Sequence, residues 1–152
     1  MGTTRSISAV FLWIGVIFFS STSLAAKWCE DAFHFLASII FRGLTPQDAS
    51  LGLIHLLADK GVHVGMFLVL AVLLWNVVPN KSWKVAVILL CGAAVGSASE
   101  FLQRFFPGRD PAIRDVLINI AGTGVGVIVC ISLWKNRVQT ETPAYSNLRS
   151  SS

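Results

Sequence analysis

The polar residues that could do chemistry fall in three short clusters. Asp59, Lys60 and His63 form the first. Glu100, Gln103, Arg104 and Arg109 form the second, and Arg114, Asp115 and Asn119 the third. Asp59 and His63 are four residues apart, so on a helix they share a face. Acids, a histidine and arginines held together suit two kinds of chemistry. Glu100 and Asp115 can share a proton, or one of them can act as a base beside His63. Arg109, with Lys60 or Arg104, can hold a phosphate or carboxylate. The candidate catalytic residues are therefore His63, Glu100 and Asp115, and the candidate ligand-binding residues are Asp59, Lys60, Gln103, Arg109 and Asn119. Asp59, His63, Glu100 and Asp115 also have the donor types of a divalent-metal site. Spacing across three helices fixes no geometry, so no metal is assigned, and nothing in the sequence names a cofactor.

Each residue also has a plainer reading. Lys60, Arg104 and Arg114 suit long side chains that reach from a buried stem to water. Asp110, before Pro111, reads as a helix cap. His63 alone suits a satisfied buried histidine, and Asn119 suits interhelical glue worth about 1 kcal/mol. The group is what favours function, because ionisable residues inside membranes are rare and usually functional. His34 and His55 lie on an apolar connector and carry no such argument.

The elements that must position these clusters are membrane spans. Only 13% of the 152 residues are charged and 54% are hydrophobic, with a mean hydropathy of +0.68, whereas a soluble domain carries about 25% charge. Residues 7–26, 61–79 and 116–134 hold no Lys, Arg, Asp or Glu, and each approaches the roughly 20 residues that cross a bilayer. Val85 to Ser99 reaches that length if continued to Phe106. The sequence thus predicts an all-α, four-helix membrane bundle with spans at about 7–26, 61–79, 84–106 and 112–134. Residues 1–6 precede it, and residues 135–152 form a polar tail expected to be disordered. Arg5, the apolar run and the small residues Ser20 to Ala26 also fit a signal peptide cleaved after Ala25 or Ala26. The full-span length of the apolar stretch favours a retained first helix.

Between the first two spans, Phe33, Leu36, Ala37 and Ile40 mark an apolar helical stripe too short to cross, which predicts an interfacial or re-entrant helix. Thr45, Pro46 and Asp48 read as the start of a further helix that either continues into the second span or breaks at Gly61. Gly92 and Gly96 on the third span and Asp115, Asn119, Gly122 and Gly126 on the fourth predict a close antiparallel hairpin. In that register Gly92 meets Gly126, Gly96 meets Gly122, and Glu100 meets Asn119. A charge at mid-membrane costs about 2.5–3.5 kcal/mol, less towards the interface. Glu100 lies about 9 Å inside Phe106, so it needs a partner.

The net charge of +4 is scattered, with no basic stripe interleaved with aromatics, so a nucleic-acid partner is not expected. Cys29, Cys91 and Cys130 are an odd count without a pairing or zinc pattern. The basic residues divide evenly between the two sides, six and six. Those on the terminal side sit close to span ends with little acid nearby, which favours cytoplasmic termini.

These residues resemble the VanZ-like family of small membrane proteins. The resemblance lies in Asp59-Lys60-x-x-His63, in Glu100-x-x-Gln103 followed by Pro107-Gly108-Arg109, and in Asp115, Asn119 and Gly122. Ser20-Ser21 at the close of the first span adds to it. It covers roughly residues 7–134 and implies a multi-pass protein of the bacterial cytoplasmic membrane. The family's namesake is associated with resistance to the glycopeptide teicoplanin, an association that supplies no reaction and leaves enzymatic activity open. Two functions are therefore expected in competition. One is binding or modifying a lipid-linked or cell-wall precursor. The other is a non-enzymatic scaffold, immunity-like factor or small permease whose polar residues are structural. Membrane lipid is a partner in either case, and the oligomeric state is not encoded legibly.

Overall fold

The computed structural model describes residues 2–40, 49–109 and 111–141. Those residues form five α-helices and no strand: α1 (Gly2–Ser20), α2 (Ser23–Ile40), α3 (Ala49–Val77), α4 (Lys84–Gln103) and α5 (Ile113–Glu141). Their burial pattern is that of a membrane protein. Phe11, Leu12, Leu90, Ile113, Leu117 and Ile128 are all more than 60% exposed, while Asn119 and Thr123 are wholly buried. Water would reverse that arrangement; lipid requires it, because only inside the bundle can polar groups find partners. Three segments are long and apolar enough to cross a membrane: Leu57–Val77, Lys84–Gln103 and Ile113–Lys135. A fourth is available if α1 and α2 together count as one bent span.

The break between α1 and α2 corrects the continuous first span expected over residues 7–26. Four consecutive hydroxyl residues, Ser20 to Ser23, compete for the helix's own hydrogen bonds. Ser20 Oγ and Ser21 Oγ donate to the Ile17 carbonyl at 2.6 and 3.2 Å, and Thr22 Oγ1 donates to Phe19 O at 2.8 Å. Thr22 Oγ1 then accepts from Ala25 N at 3.3 Å, which makes it the N-cap of α2. The chain turns by 79° there. α2 leaves the bundle with Leu24, Trp28, Phe35, Leu36 and Ile39 exposed, and Trp28 stacks on Phe19 with ring centroids 6.0 Å apart. Of the expected apolar stripe, Leu36 is exposed, and the side chains of Phe33, Ala37 and Ile40 lie outside the described residues. The helix start expected at Thr45 to Asp48 and the cap at Asp110 also lie outside them. α3 runs unbroken through Gly61, and α5 continues past Trp134 to Glu141 rather than giving way to coil. α4 ends at Gln103, short of the expected Phe106.

α3 occupies the centre and supplies Phe67, Leu70, Ala71 and Leu74 to a core completed by Val10, Ile17, Ile88 and Val127. Its most extensive partner is α5. That partnership corrects the expected glycine pairing. A Cβ on Gly122 would stand 2.7 Å from the Val64 carbonyl oxygen, and one on Gly126 would stand 2.7 Å from Leu68 O, so both glycines face α3. Gly92 instead receives Thr123, and Gly96 receives Asn119. Gly122 and Gly126 were expected to meet α4; they pack on α3 because α5 is wedged between two helices and divides one small-residue stripe between them. α1 docks through Trp13 Nε1, which donates to Met66 O at 2.9 Å.

The packing separates two glycine substitutions on one helix. Gly122→Ala should lower stability in detergent by about 1–3 kcal/mol, since backbone and not a movable side-chain tip blocks the methyl group. Gly124→Ala meets nothing within 4 Å and should be neutral or stabilising by up to about 1 kcal/mol. Thermal unfolding of the two purified variants beside the wild type reads the difference.

Candidate functional site

The entry turns of α3, the exit of α4, the first turns of α5 and the α1–α2 break meet at one end of the bundle. α5 begins with Asp115 in its first turn, and Asn119 and Thr123 follow at four-residue spacing. This places one polar face against α3 and α4. Lys60 Nζ, one helical turn before His63 and Val64, reaches across to Asp115 Oδ2 at 2.8 Å and also holds Asp59 Oδ2 at 3.0 Å. One turn deeper, His63 Nδ1 lies 3.2 Å from Asn119 Oδ1. An amide oxygen only accepts, so in this contact Nδ1 is the donor. Asn119 is fully buried, and its own carbonyl accepts from Thr123 Oγ1 at 3.0 Å. Asp115 and Asn119 thus tie α5 to α3 at two successive depths.

Glu100 is used differently. Its two carboxylate oxygens accept from Gln103 Nε2 and from the Ala112 backbone N–H, both at 3.3 Å. It therefore fastens the α4–α5 connection just before α5 begins. Glu100 has no hydrogen bond to Asp115 or Asn119. It lines a separate groove between α4 and α5, with Phe101, Arg104 and Ile113. Arg104 is exposed there and lies over the Phe101 ring at 5.8 Å.

The α4–α5 turn depends on Gly108, whose φ of 76° is one that side chains rarely adopt. The next residue, Arg109, points back to the α1–α2 break and donates through Nη2 to Ser20 O at 3.2 Å. Ser20 O is among the last carbonyls of α1, left free because the helix stops there. A second tie comes from Ser23 Oγ, which donates to Pro107 O at 2.6 Å.

Beside these ties lies an open polar cavity of 260 Å³ lined by Asp59, Lys60, His63, Gln103, Gly108, Arg109, Ala112, Arg114 and Asp115. A neighbouring cavity of 250 Å³ shares Asp59, His63, Gly108 and Arg109 and extends to Cys29 and Glu30 of α2. Of the residues singled out in the sequence, the structure gathers Asp59, Lys60, His63, Gln103, Arg109 and Asp115 on one cavity. Asn119 bonds to His63 and does not line the cavity, and Glu100 lines the adjoining groove while bonding to Gln103 and Ala112 of the cavity wall. Among the described residues, no three His, Cys, Asp or Glu side chains converge as a metal-ligand set. The sequence reading missed the α1–α2 break, which walls the neighbouring cavity through Ser20 and Ala26. The run Ser20 to Ser23 carried that signal, since hydroxyl residues in series end helices and cap them.

Lys60 is the joint most open to test. Its side chain is 22% exposed and that of Asp115 11%, whereas Arg114, 3.7 Å from the other carboxylate oxygen, is 72% exposed. Lys60→Met should lower stability by about 1–3 kcal/mol by leaving Asp115 without its donor. Arg114→Gln should change it by no more than about 0.5 kcal/mol. Adding Asp115→Asn to Lys60→Met should recover part of the loss, read as a double-mutant cycle from unfolding midpoints.

A protein-family model described as VanZ/LLP1 matches residues 6–135, which include all five helix starts but that of α1 and every residue of the cavity. Neither the curated proteins nor the solved structures contain a match. With an all-helical fold and three to four candidate spans, this chain is a multi-pass membrane protein and belongs to the VanZ/LLP1 family.

Proposed function

We propose that the cavity between α3, the α4–α5 turn and α5 is a ligand site at the outer rim of the bacterial cytoplasmic membrane, and that it binds a lipid-linked or cell-envelope precursor. One observation carries this reading. Arg109 commits only Nη2, to a backbone carbonyl, while its buried Nε has no hydrogen-bond partner and the residue lines a polar cavity. A guanidinium so placed suits a phosphate or carboxylate, which it binds with charge-assisted hydrogen bonds. The outer placement follows from cytoplasmic termini, with the bulk of the cavity formed where the odd-numbered crossings end.

The roles divide by what each side chain already does. Arg109 anchors the anion, with Lys60 and Gln103 beside it. Asp59 and Asp115 accept from donor groups of the ligand. His63 is the base if the bound molecule is chemically altered, and Asn119 orients its ring through Nδ1. A structural part of the competing reading is favoured at one residue: Glu100 is occupied by Gln103 and Ala112, which makes it a fastener of the α4–α5 corner. The whole-cell consequence suggested by the family's namesake is a change in teicoplanin tolerance arising from a bound or altered precursor.

The test is what the purified protein retains. Extracted in mild detergent, the wild type should carry a phosphate-bearing or carboxylate-bearing lipid-linked molecule, identified by native mass spectrometry. Arg109→Gln should lose it at an unchanged membrane level, and Glu100→Gln should keep it. A wild type that carries no such molecule, or an Arg109→Gln variant that carries it equally well, rejects the proposal.

A further inference from the structure

The cavity offers a second unmet group, opposite in charge to the first. Asp115 is 7% exposed, and while its Oδ2 holds Lys60, its buried Oδ1 has no hydrogen-bond partner. Arg114 Nε stands 3.7 Å from Oδ1, outside hydrogen-bond reach. Arg109 and Asp115 thus line one cavity, and each has one buried atom, Nε and Oδ1, that no group of the protein hydrogen-bonds. A plain anion satisfies the first and leaves the second; a plain cation does the reverse. A ligand carrying both charges a few bonds apart satisfies both.

Resting on the reading of this cavity as a ligand site, we infer that its occupant is the zwitterionic headgroup of an aminophospholipid, a phosphate ester of ethanolamine. The phosphate lies against Arg109 Nε, with the remaining N–H of Lys60 in support. The primary ammonium donates to Asp115 Oδ1 and to Asp59, whose side chain is 41% exposed at the same cavity. Lys60 has three donors and spends two of them on Asp115 and Asp59, so one is left. The cavity measures 260 Å³, room for a small headgroup, and the adjoining cavity of 250 Å³ shares four of its residues.

A lipid source, as against the free headgroup, follows from α2. Glu30 and Cys29 of that helix wall the adjoining cavity, while Trp28, Phe35, Leu36 and Ile39 of the same helix are exposed apolar residues. A helix that leaves the bundle at 79° with one apolar side and one charged side lies in the headgroup layer. It places the cavity wall where phospholipid headgroups already are.

The experiment uses the delipidated full chain in detergent, titrated with phosphatidylethanolamine, phosphatidylglycerol and phosphatidylcholine of identical acyl chains and followed by native mass spectrometry. Phosphatidylethanolamine should bind about tenfold or more tightly than either of the others, since each lacks the N–H donor that Asp115 Oδ1 takes. Asp115→Asn should abolish that preference and leave phosphatidylglycerol binding in place, while Arg109→Gln should weaken all three. Soluble glycerophosphoethanolamine should compete only weakly; equal competition would overturn the lipid source. Equal binding of the three lipids with no effect of Asp115→Asn overturns the headgroup assignment and leaves the ligand-site reading standing. Failure of all three, with an envelope precursor still retained, does the same. Failure of every lipid and of every precursor overturns both.

Discussion

A polar group inside a bilayer must find its partner within the protein, and α5 carries three at one-turn intervals, Asp115, Asn119 and Thr123. Their needs set the arrangement of the other helices. From α3, Lys60 meets one carboxylate oxygen of Asp115 and His63 meets the amide oxygen of Asn119. Thr123 answers Asn119 from within α5, and the glycines of α4 give Asn119 and Thr123 the room to lie flat. The stripe is therefore shared between two neighbours, which explains why α3 and α5 are the closest pair and why α5 sits between α3 and α4. Hydrophobic burial contributes little to such a choice, because lipid is as apolar as the core.

The rim is built from ends. α1 stops at Ser20 and frees a carbonyl; the α4–α5 turn projects Arg109 to take it; and Ser23 closes the corner on Pro107. A longer α1 would give the Ser20 carbonyl to an N–H of its own helix and leave Arg109 without it. Helix termini thus do here what side-chain networks do deeper in the bundle. Because the ties use backbone carbonyls, they leave the chemistry of the site to Arg109 Nε, Asp115 Oδ1 and His63 Nε2. A rigid corner that occupies only part of each polar side chain is the physical basis for reading the cavity as a binding site.

Much of the fold was legible in the residues. Charge-free stretches located three of the spans, and the spacing of Asp59, His63, Asp115 and Asn119 placed those residues on facing helices. The break at Ser20 was hidden because hydroxyl residues are tolerated inside membrane helices, so hydropathy alone ran the first span through to Ala26. The partners of Gly122 and Gly126 were hidden for another reason: periodicity gives the face of a helix but not which of two neighbours it meets. The gathering at the cavity followed from depth, since six of the eight candidate residues lie on it. Glu100 fell outside because its side chain turns to the Ala112 N–H, a backbone donor that no residue type announces.

The account stands on the α1–α2 break and the α4–α5 turn meeting at the same rim, and proximity in native membranes tests that most directly. Cysteines introduced at Ser23 and Pro107, whose oxygens lie 2.6 Å apart, in a chain with Cys29, Cys91 and Cys130 replaced, should join under mild oxidation within one molecule. A cross-link that forms rapidly, and fails to form between Ser23 and Trp83 at the far end of the bundle, is the expected result. No cross-link between Ser23 and Pro107 in a folded, membrane-inserted protein would contradict the account.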